Sequence, residues 1–506
     1  MSGESRSSES GGPAKVITVD APDLVEVTRS LLDAGHRLAL VAAHDDGAAF
    51  RVVYVFTGAG VQRTELVLAV DRRRPRVPSL ASVSFAASRF EREMRDLFGI
   101  EPLDHPQPRR LVLHQHWPEN WFPMRRDAGE APAMLDEAAS YPFIPVEGPG
   151  VYEIPVGPVH AGLIEPGHFR FFVVGETILR MRARLWFVHK GIERLLQGTT
   201  VDEAMQIAQR ISGDSAVGHG LAFTMAVEEA LGVDVSDDHR RNRAALLEME
   251  RLYNHVADLG ALCNDVAYSI GNALALSARE RLLRMNAEVT GHRLLRDGVV
   301  LGASRVRRLA TPGELDSLES DLERLVEMVR SNALVLDRFA GTAVLGHEDA
   351  LAMGTLGVVA RASGLDNDAR ATHPFVDMPD AFVTSSESAG DVLARFNVRV
   401  RECAVSIALL REWSRDVGAA PAGAPVLAPR AVDAFARSGV GIVEGFRGTI
   451  VHRIEIDGEG RLTRVKIVDP SFFNWPALPI SLADTIIPDF PLANKSFNLS
   501  YAGNDL

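Results

Sequence analysis

Residues 246–267, LLEMERLYNHVADLGALCNDVA, decide the fold class of the larger part of the chain. Their small and apolar positions recur every three or four residues: Leu246, Met249, Tyr253, Val256, Gly260, Cys263 and Ala267. This spacing places them on one face of a long helix. Residues 222–231 predict a second such helix. Residues 449–456 and 461–468 instead alternate around the turn DGEG at 457–460, which predicts a β-hairpin.

The N-terminal segment has a different pattern. Residues 15–20, 50–56 and 64–70 predict strands, and residues 24–34 predict a helix between the first two. A further helix carries Phe90, Met94 and Leu97 on one face and ends at Gly99. The predicted fold class is therefore α+β. We expect a disordered tail at residues 1–14, a mixed α/β domain at 15–128, a linker at 129–148 and a mainly helical domain with a small antiparallel sheet at 149–506.

Composition excludes several kinds of protein. The chain has 506 residues, 46% of them hydrophobic, and can bury a sizeable core. Its net charge of −13 disfavours binding to nucleic acid. No apolar run reaches the roughly 18–20 residues of a membrane-spanning helix, and residues 1–13 lack a targeting pattern, so we expect a cytoplasmic location. The two cysteines, Cys263 and Cys403, predict buried core residues rather than a disulfide or a thiolate metal site.

One charged motif lies in the predicted N-terminal domain. Residues 89–100 read RFEREMRDLFGI and are followed by His105-Pro106, Arg109-Arg110-Leu111 and Trp117. This block resembles the signature of the 30-kDa subunit of proton-pumping NADH:quinone oxidoreductase. The resemblance implies a domain that holds a neighbouring subunit and carries no chemistry of its own.

A series of ordered motifs covers the remainder of the chain. They are GPVHAGLIEPGHFR at 157–170, VHKGIE at 188–193, RISGDSAVGH at 210–219, RASGLDNDARATHPF at 361–375, EGFRGTIVH at 444–452, NWP at 474–476 and FNLSYAGNDL at 497–506. Together they resemble the large subunit of energy-converting hydrogenases of the formate hydrogenlyase type. They are more distantly similar to the 49-kDa quinone-site subunit of NADH:quinone oxidoreductase.

The metal-binding cysteines of that family are absent. In the hydrogenases four cysteine thiolates hold a nickel-iron centre, because soft sulfur ligands suit these metals. The four matching positions here are Ser212, Ser215, Ser500 and Gly503. A serine hydroxyl is a hard, neutral donor and glycine has no side chain, so we expect no bound nickel and no other metal. Only three residues follow Gly503, so we also expect no C-terminal extension of the kind that hydrogenases trim after nickel insertion.

Other polar residues match site positions of the family. Glu165 matches a proton-shuttling glutamate, but it could instead form a loop ion pair or cap a helix. Arg447 matches the arginine above the metal, and it could orient an anionic or carbonyl ligand or serve only in structural pairing. These two are the candidate catalytic residues. His168 aligns with a quinone-binding histidine whose tyrosine partner is replaced by Gly213.

Further histidines and charges have open assignments. His160 and His219 flank the same pocket and are either cofactor-binding residues, together with His168, Ser212, Ser215 and Ser500, or satisfied core histidines. Glu193 and Arg194 either extend a proton path or form a paired surface. Three more residues are expected to brace the packing: Arg361, Arg370 and His373.

The resemblance implies a subunit of a membrane-associated energy-converting oxidoreductase complex. Without a nickel-iron centre, it would pass electrons to a quinone-like or other small acceptor, couple a redox step to ion movement, or both. The alternative is a non-catalytic scaffold that joins an iron-sulfur partner to the membrane arm. Expected partners are an iron-sulfur small subunit, which would hold the cluster, and membrane subunits. We expect a peripheral position on the cytoplasmic face and no hydrogenase activity.

Overall fold

The computed structural model describes residues 14–60, 62–135, 141, 143–160, 164–416 and 437–506. All but one residue of the predicted tail at 1–14 lies outside the described residues. The α+β fold class is confirmed, because a mixed sheet near the N-terminus is followed by long helices and two three-stranded antiparallel sheets. None of the helices in these ranges combines the length and hydropathy that crossing a membrane requires.

The N-terminal part, residues 14–128, contains a four-stranded sheet of order β1–β4–β3–β2, in which only the β1–β4 pair is parallel. Its elements are β1 (Lys15–Thr18), α1 (Leu24–Asp33), β2 (Arg37–Asp45), β3 (Ala49–Thr57), β4 (Arg63–Asp71), β5 (Arg76–Pro78), α2 (Phe85–Phe98) and β6 (Glu101–Leu103). The three predicted strands and both predicted helices are confirmed. Gly99 ends α2 in the left-handed region, with φ +69° and its N–H bonded to the Arg95 carbonyl.

Three charged residues of α2 are buried, Arg89, Glu91 and Asp96, and the predicted role of this domain in holding a neighbouring subunit stays a prediction. Glu91 is fully buried and accepts hydrogen bonds from Ser79 Oγ at 2.6 Å and from the Leu80 N–H. Asp96 accepts the N–H groups of Leu111 and Val112 at 2.7 and 2.8 Å. The signature therefore holds both the segment before α2 and the loop after it against the helix, because each buried carboxyl group needs hydrogen-bond donors.

The C-terminal part, residues 149–506, begins with a sheet and continues as helices. The first elements are β7 (Val151–Val156), β8 (His168–Val174), β9 (Thr177–Arg184), α3 (Ile192–Leu196), α4 (Val201–Ala208), α5 (Ala216–Leu231), α6 (Asp237–Asp265), α7 (Ser269–Thr290), β10 (Val299–Val300) and β11 (Ala303–Ser304). The next are α8 (Pro312–Arg330), α9 (Ala333–Phe339), α10 (His347–Met353), α11 (Gly357–Ala362), α12 (Ala369–Thr372) and α13 (Val392–Asp416). The last are β12 (Arg437–Gly445), β13 (Gly448–Ile456), β14 (Leu462–Val468), α14 (Pro470–Asn474), α15 (Leu478–Ser481), α16 (Phe490–Phe497) and α17 (Tyr501–Asp505).

Helix α6 is the predicted long helix and forms the centre of the core with α7 and α13. Its stripe is buried from Leu246 to Cys263, whereas Ala267 lies beyond the helix end. At Gly260 a Cβ would lie 2.6 Å from the Ala275 Cβ of α7, so the glycine allows the two helices to approach closely. Cys403 is buried as well, and both cysteines are free, as expected.

Buried ion pairs connect these helices. Arg361 of α11 is fully buried and donates to Glu402 of α13 at 2.6 Å and to Glu444 of β12 at 2.8 Å. Arg370 pairs with Glu248 of α6 at 3.1 Å. The bracing role predicted for these two arginines is confirmed by their contacts. A buried charge requires such partners, because an unpaired one is costly.

Helix α5 lies directly on the antiparallel sheet β12–β13–β14. The predicted hairpin is confirmed as β13 and β14, whereas β12 was not predicted. The close packing depends on glycine: a Cβ at Gly441 of β12 would lie 1.9 Å from the Ala222 carbonyl oxygen of α5. No side chain fits in that space.

The two parts of the chain pack tightly against each other. Arg464 of β14 donates to the Ala43 carbonyl of the edge strand β2 at 2.9 Å, and Lys466 pairs with Glu93 of α2 at 2.6 Å. Strand β2, which was missed from the sequence, is buried along almost its whole length and therefore lacks an apolar–polar alternation. No helix or strand occurs among the described residues between Leu103 and Val151, where the linker is predicted, and the domain boundaries stay a prediction.

We predict that Gly441→Ala lowers the free energy of unfolding by about 1–3 kcal/mol, because the added methyl group forces α5 away from β12. Thermal denaturation of the full chain measures the effect. Gly458→Ala is the matched control, since no atom lies within 4 Å of the position that its Cβ would take. Equal melting temperatures for both variants would contradict the prediction.

Candidate functional site

The four positions that the sequence motifs match to metal-binding cysteines lie near one another in the structure. Ser212 Oγ lies 2.9 Å from Ser500 Oγ, although 288 residues separate them in sequence. Ser500 also accepts the Gly503 N–H at 2.8 Å, so it caps the short helix α17. Its own N–H donates to Ser471 Oγ at 2.9 Å. The hydroxyl groups therefore bond to one another and to nearby protein groups. We refer to Ser212, Ser215, Ser500 and Gly503 as the serine cluster.

Helix α5 begins at the serine cluster. Ser215 is the residue before its first turn, and Glu250 of α6 accepts the N–H groups of Val217 and Gly218 at 2.7 and 2.9 Å. Burial raises the pKa of Glu250 to about 8, although these two donors favour its ionised form. The carboxyl group fixes the start of α5, because its oxygens accept N–H groups that have no partner within the helix.

Arg447 is balanced by an acid that lies inside the serine motif. Its Nη1 and Nη2 donate to the two carboxylate oxygens of Asp214 at 2.8 and 2.6 Å. Its Nε donates to the Asn498 carbonyl. Burial opposes the ionisation of Asp214, but Arg447 outweighs burial and lowers the pKa of Asp214 to about 2. The guanidinium predicted to orient a ligand is therefore already bound by the protein on both of its edges.

Gly503 leaves room for a second acid. A Cβ at this position would lie 2.5 Å from Cγ of Asp469, a distance that real structures do not allow. The Asp469 carboxylate accepts the Ser471 N–H at 2.7 Å and caps α14. The place of the fourth cysteine is thus occupied by the approach of a carboxylate from the end of β14.

His219 connects Asp469 to a second histidine. Its Nε2 lies 3.1 Å from Asp469 Oδ2, and its Nδ1 lies 3.0 Å from Nε2 of His452. All three side chains are buried. Burial lowers the pKa of His452 well below its ordinary value, and the neighbouring His219 lowers it further, so His452 is neutral. Each ring nitrogen of His219 therefore has a hydrogen-bonding partner in the protein, as expected for a core histidine rather than a cofactor-binding one.

Glu165 reaches the same region from the loop between β7 and β8. Its Oε2 accepts the Ala502 N–H of α17 at 2.9 Å, and the residue is half-buried. Of the roles considered from sequence, this contact corresponds to the capping of a helix. It also places the carboxylate next to Ser500 and Gly503 in the chain, so a role in proton transfer stays a prediction.

His160 lies in the same loop, and His168 is the first residue of β8. His160 Nε2 is 2.9 Å from the Gly167 carbonyl, and its ring stacks on Phe169 with centroids 5.9 Å apart. The ring of His168 meets that of Phe143 at 5.2 Å. In the described ranges no hydrogen bond or ring contact joins either histidine to the serine cluster. Their predicted role in cofactor binding stays a prediction.

Glu193 is a paired group and not a free one. It accepts from Arg464 at 2.7 Å and from Lys466 at 3.1 Å, and these two cations outweigh burial and lower its pKa to about 2. The exposed Arg194 donates to Gln197 at 2.7 Å. Of the two assignments considered from sequence, the contacts are those of paired groups, and the pairs of Glu193 are buried.

Sequence reasoning missed Asp214, Glu250, Asp469 and His452. Asp214 had a signal, because a buried arginine needs an anionic partner and an acid stands between the two motif serines. Gly503 alone could not identify Asp469, which is distant in sequence.

Two family models match the chain. The 30-kDa subunit of respiratory-chain NADH dehydrogenase matches residues 17–132, and the 49-kDa subunit of the same enzyme matches residues 265–431. Formate hydrogenlyase subunit 5 of Escherichia coli K12 is 31% identical over 462 residues, which are 86% of this chain and 78% of the relative. The chain belongs to the family of energy-converting hydrogenase-related large subunits of the formate hydrogenlyase subunit 5 type. The predicted family is confirmed.

Other relatives place this large subunit within a wider group of oxidoreductase subunits. Hydrogenase-4 component G of Escherichia coli K12 is 31% identical over 90% of this chain and 81% of its own length. The C/D subunit of NADH-quinone oxidoreductase from Phocaeicola vulgatus is 27% identical over 68% and 70% of the two chains. A chain of an archaeal membrane-bound sulfane sulfur reductase shares the fold, with a TM-score of 0.62 at 23% identity, over 71% of this large subunit and 99% of that chain.

We predict that Asp214→Asn destabilises the large subunit by about 1–3 kcal/mol at pH 7, because it leaves the buried Arg447 guanidinium without its counter-ion. The Asp214 side chain is 39% exposed, so water limits the loss. Denaturation of the purified chain measures it. Asp237→Asn removes an exposed pair with Arg240 at 3.9 Å and should change stability little.

The effect of Asp214→Asn also depends on pH. The pKa of Asp214 is lowered in the folded state from 3.8 to about 2, so its contribution is complete above pH 4 and is lost as the pH falls towards 2. The difference between wild type and variant should therefore shrink on acidification through this window. A difference that stays constant from pH 5 to pH 2 would exclude the ion pair as its cause.

Proposed function

We propose that this large subunit works without a nickel-iron centre, as an oxidoreductase subunit of a membrane-associated energy-converting complex. Its electrons come from an iron-sulfur cluster in a partner subunit and pass to a quinone-like or other small acceptor, with coupling to ion movement. The family supports the class of complex. The poor metal-binding properties of the serine cluster support the other part of the proposal, the absence of a nickel-iron centre.

The residues of the serine cluster do not fit a nickel-iron centre. Three hard hydroxyl groups and a glycine stand where soft thiolates would be required. Ser212 and Ser500 are 2.9 Å apart and bond to each other, and Asp469 takes up the space at Gly503. These positions offer neither the ligands nor the room for two metals, and we derive no step through such a centre.

Charge balance supports the same proposal. An arginine above a metal centre with four thiolates would face a negatively charged cluster. Here Arg447 is instead neutralised within the protein by Asp214, with both pairs of atoms closer than 3 Å. A site that is already neutral needs no metal to compensate the buried guanidinium.

Within this proposal, Glu165 handles the proton that accompanies electron transfer. It is half-buried, and its carboxylate contacts the backbone of α17 beside Ser500. Arg447 and Asp214 hold the start of α5 and the turn before α17 in place, and so they position this carboxylate. The chain's two cysteines, Cys263 and Cys403, are buried and are not bonded to each other.

We expect no stoichiometric nickel in the complex purified from its native host, measured by inductively coupled plasma mass spectrometry. Iron should be present at the level of the cluster in the partner subunit, which provides an internal control. One nickel per large subunit would refute the proposed chemistry of the serine cluster.

A scaffold role is the second candidate, favoured by one observation. Arg447 and Glu165 are both satisfied by protein groups, as they would be in a pocket that no longer binds a reactant. A substitution of Glu165 can distinguish the electron-transfer role from the scaffold role. Glutamine retains the oxygen that accepts the Ala502 N–H, so Glu165→Gln should preserve assembly in either case.

We predict that Glu165→Gln lowers electron transfer through the assembled complex at least about tenfold, a typical minimum for loss of a proton-transfer group. The complex is reduced in advance and freed of reductant, and stopped-flow absorbance then follows reoxidation of the partner's iron-sulfur cluster by a soluble benzoquinone. Glu153→Gln, which affects an exposed carboxylate paired with Arg170, is the matched control. Unchanged rates in both variants, with normal assembly, would favour the scaffold.

A further inference from the structure

The antiparallel sheet β7–β8–β9 has one apolar face and one basic face. Phe169 and Phe171 of β8 are buried on the first, so the residues that alternate with them lie on the second. On that second face the register sets Arg170 of β8 directly opposite Arg182 of β9. Two further arginines of β9, two residues to either side of Arg182, share the face. We refer to these four residues as the arginine face: Arg170, Arg180, Arg182 and Arg184.

Two members of the arginine face are held by contacts within the chain. Arg170 donates to Glu153 of β7 at 2.7 Å, and its guanidinium carbon lies 4.7 Å from the centre of the Phe143 ring. Arg184 is buried and donates to two backbone carbonyls of the loop at 111–113. These contacts fix the positions of both guanidinium groups and leave the other two arginines at the open part of the face.

Arg180 and Arg182 form no ion pair with any residue that the structure describes. The Arg180 side chain is exposed, and Arg182 is half-buried. The Nε atom of Arg182 is shielded from solvent, yet it has no hydrogen-bond acceptor in the described ranges. Burial lowers the pKa of Arg182, and the nearby Arg180 and Arg109 lower it further. The positive charge at Arg182 is therefore poorly compensated.

The arginine face carries an excess of positive charge. Arg170 and Arg182 repel each other, because like charges directly opposite on neighbouring strands are destabilising. Within the described part of the chain, Glu153 is the only carboxylate that forms an ion pair with the face. Two buried carboxyl groups attract Arg184 from the interior, and both accept backbone N–H groups: Asp96 and Asp505. An anion from outside the chain would relieve the repulsion.

We propose that the arginine face docks an acidic segment of a partner protein, whose carboxylates pair with Arg180 and Arg182. A planar guanidinium suits a carboxylate, which it binds with two parallel hydrogen bonds. The charge of the whole chain favours a narrow segment. At −13, the chain is repelled by an extended anionic surface such as a membrane, whereas a segment contacts only the arginines. The proposal goes beyond the electron-transfer role and does not depend on it.

The first test uses the full chain and a fluorescein-labelled peptide of alternating glycine and glutamate, with binding followed by fluorescence anisotropy. We expect saturable binding that weakens as salt is added. Arg180→Glu should bind about tenfold more weakly, because charge reversal removes one attraction and adds one repulsion. Arg324→Glu is the matched control, since it reverses an exposed arginine of α8 and should leave binding unchanged.

The second test uses the complex purified from its native host. Arg180→Lys keeps the positive charge and supplies an amine, which a carbodiimide couples to a carboxylate in direct contact. Mass spectrometry then identifies the coupled residues. We expect a cross-link from position 180 to an aspartate or glutamate of another subunit. The wild-type complex is the control, because a carbodiimide does not couple arginine.

Three results would overturn the proposal. They are absence of peptide binding to wild type, equal weakening in Arg180→Glu and Arg324→Glu, and an assembled complex in which position 180 cross-links to no other subunit. Circular dichroism confirms that each variant is folded. Vesicles of phosphatidylglycerol provide a further arm: binding to them that Arg180→Glu abolishes, without binding of the peptide, would make a membrane the occupant instead.

Discussion

The buried charge of Arg447 is the constraint on which the centre of this large subunit depends. A guanidinium remains protonated in any environment that a protein provides, so its burial requires an anion at contact distance. Asp214 meets this requirement with two hydrogen bonds shorter than 3 Å. The same pair joins the start of α5 to the turn before α17, so one interaction fixes two segments that are distant in sequence.

The structure around this pair uses carboxylates in a consistent way. Glu250 holds the first N–H groups of α5, Asp469 caps α14, and Glu165 accepts the Ala502 N–H of α17. Helix starts carry partial positive charge, and each of them is met by an acid. The starts of these helices are thus fixed by carboxyl groups of the protein itself.

The sequence predicted those parts of the fold that have a clear period or a strong local signal. The stripe on α6, the β13–β14 hairpin and the glycine end of α2 belong to this group. Strand β2 was missed because packing against α2 and the β13–β14 hairpin buries nearly every residue and removes the alternation. Likewise, the burial of Glu91 and Asp96 depends on loops that fold back onto α2, which no local pattern reveals.

The candidate site was predicted less completely, because its residues meet only in three dimensions. Serine positions could be found from motif spacing, but Asp469 becomes visible only through its close approach to Gly503. That approach couples two positions that are distant in sequence. A side chain at position 503 would require the Asp469 carboxylate to move, and this carboxylate also accepts the Ser471 N–H at the start of α14. A substitution of Gly503 therefore affects the cap of α14 as well as the C-terminal turn.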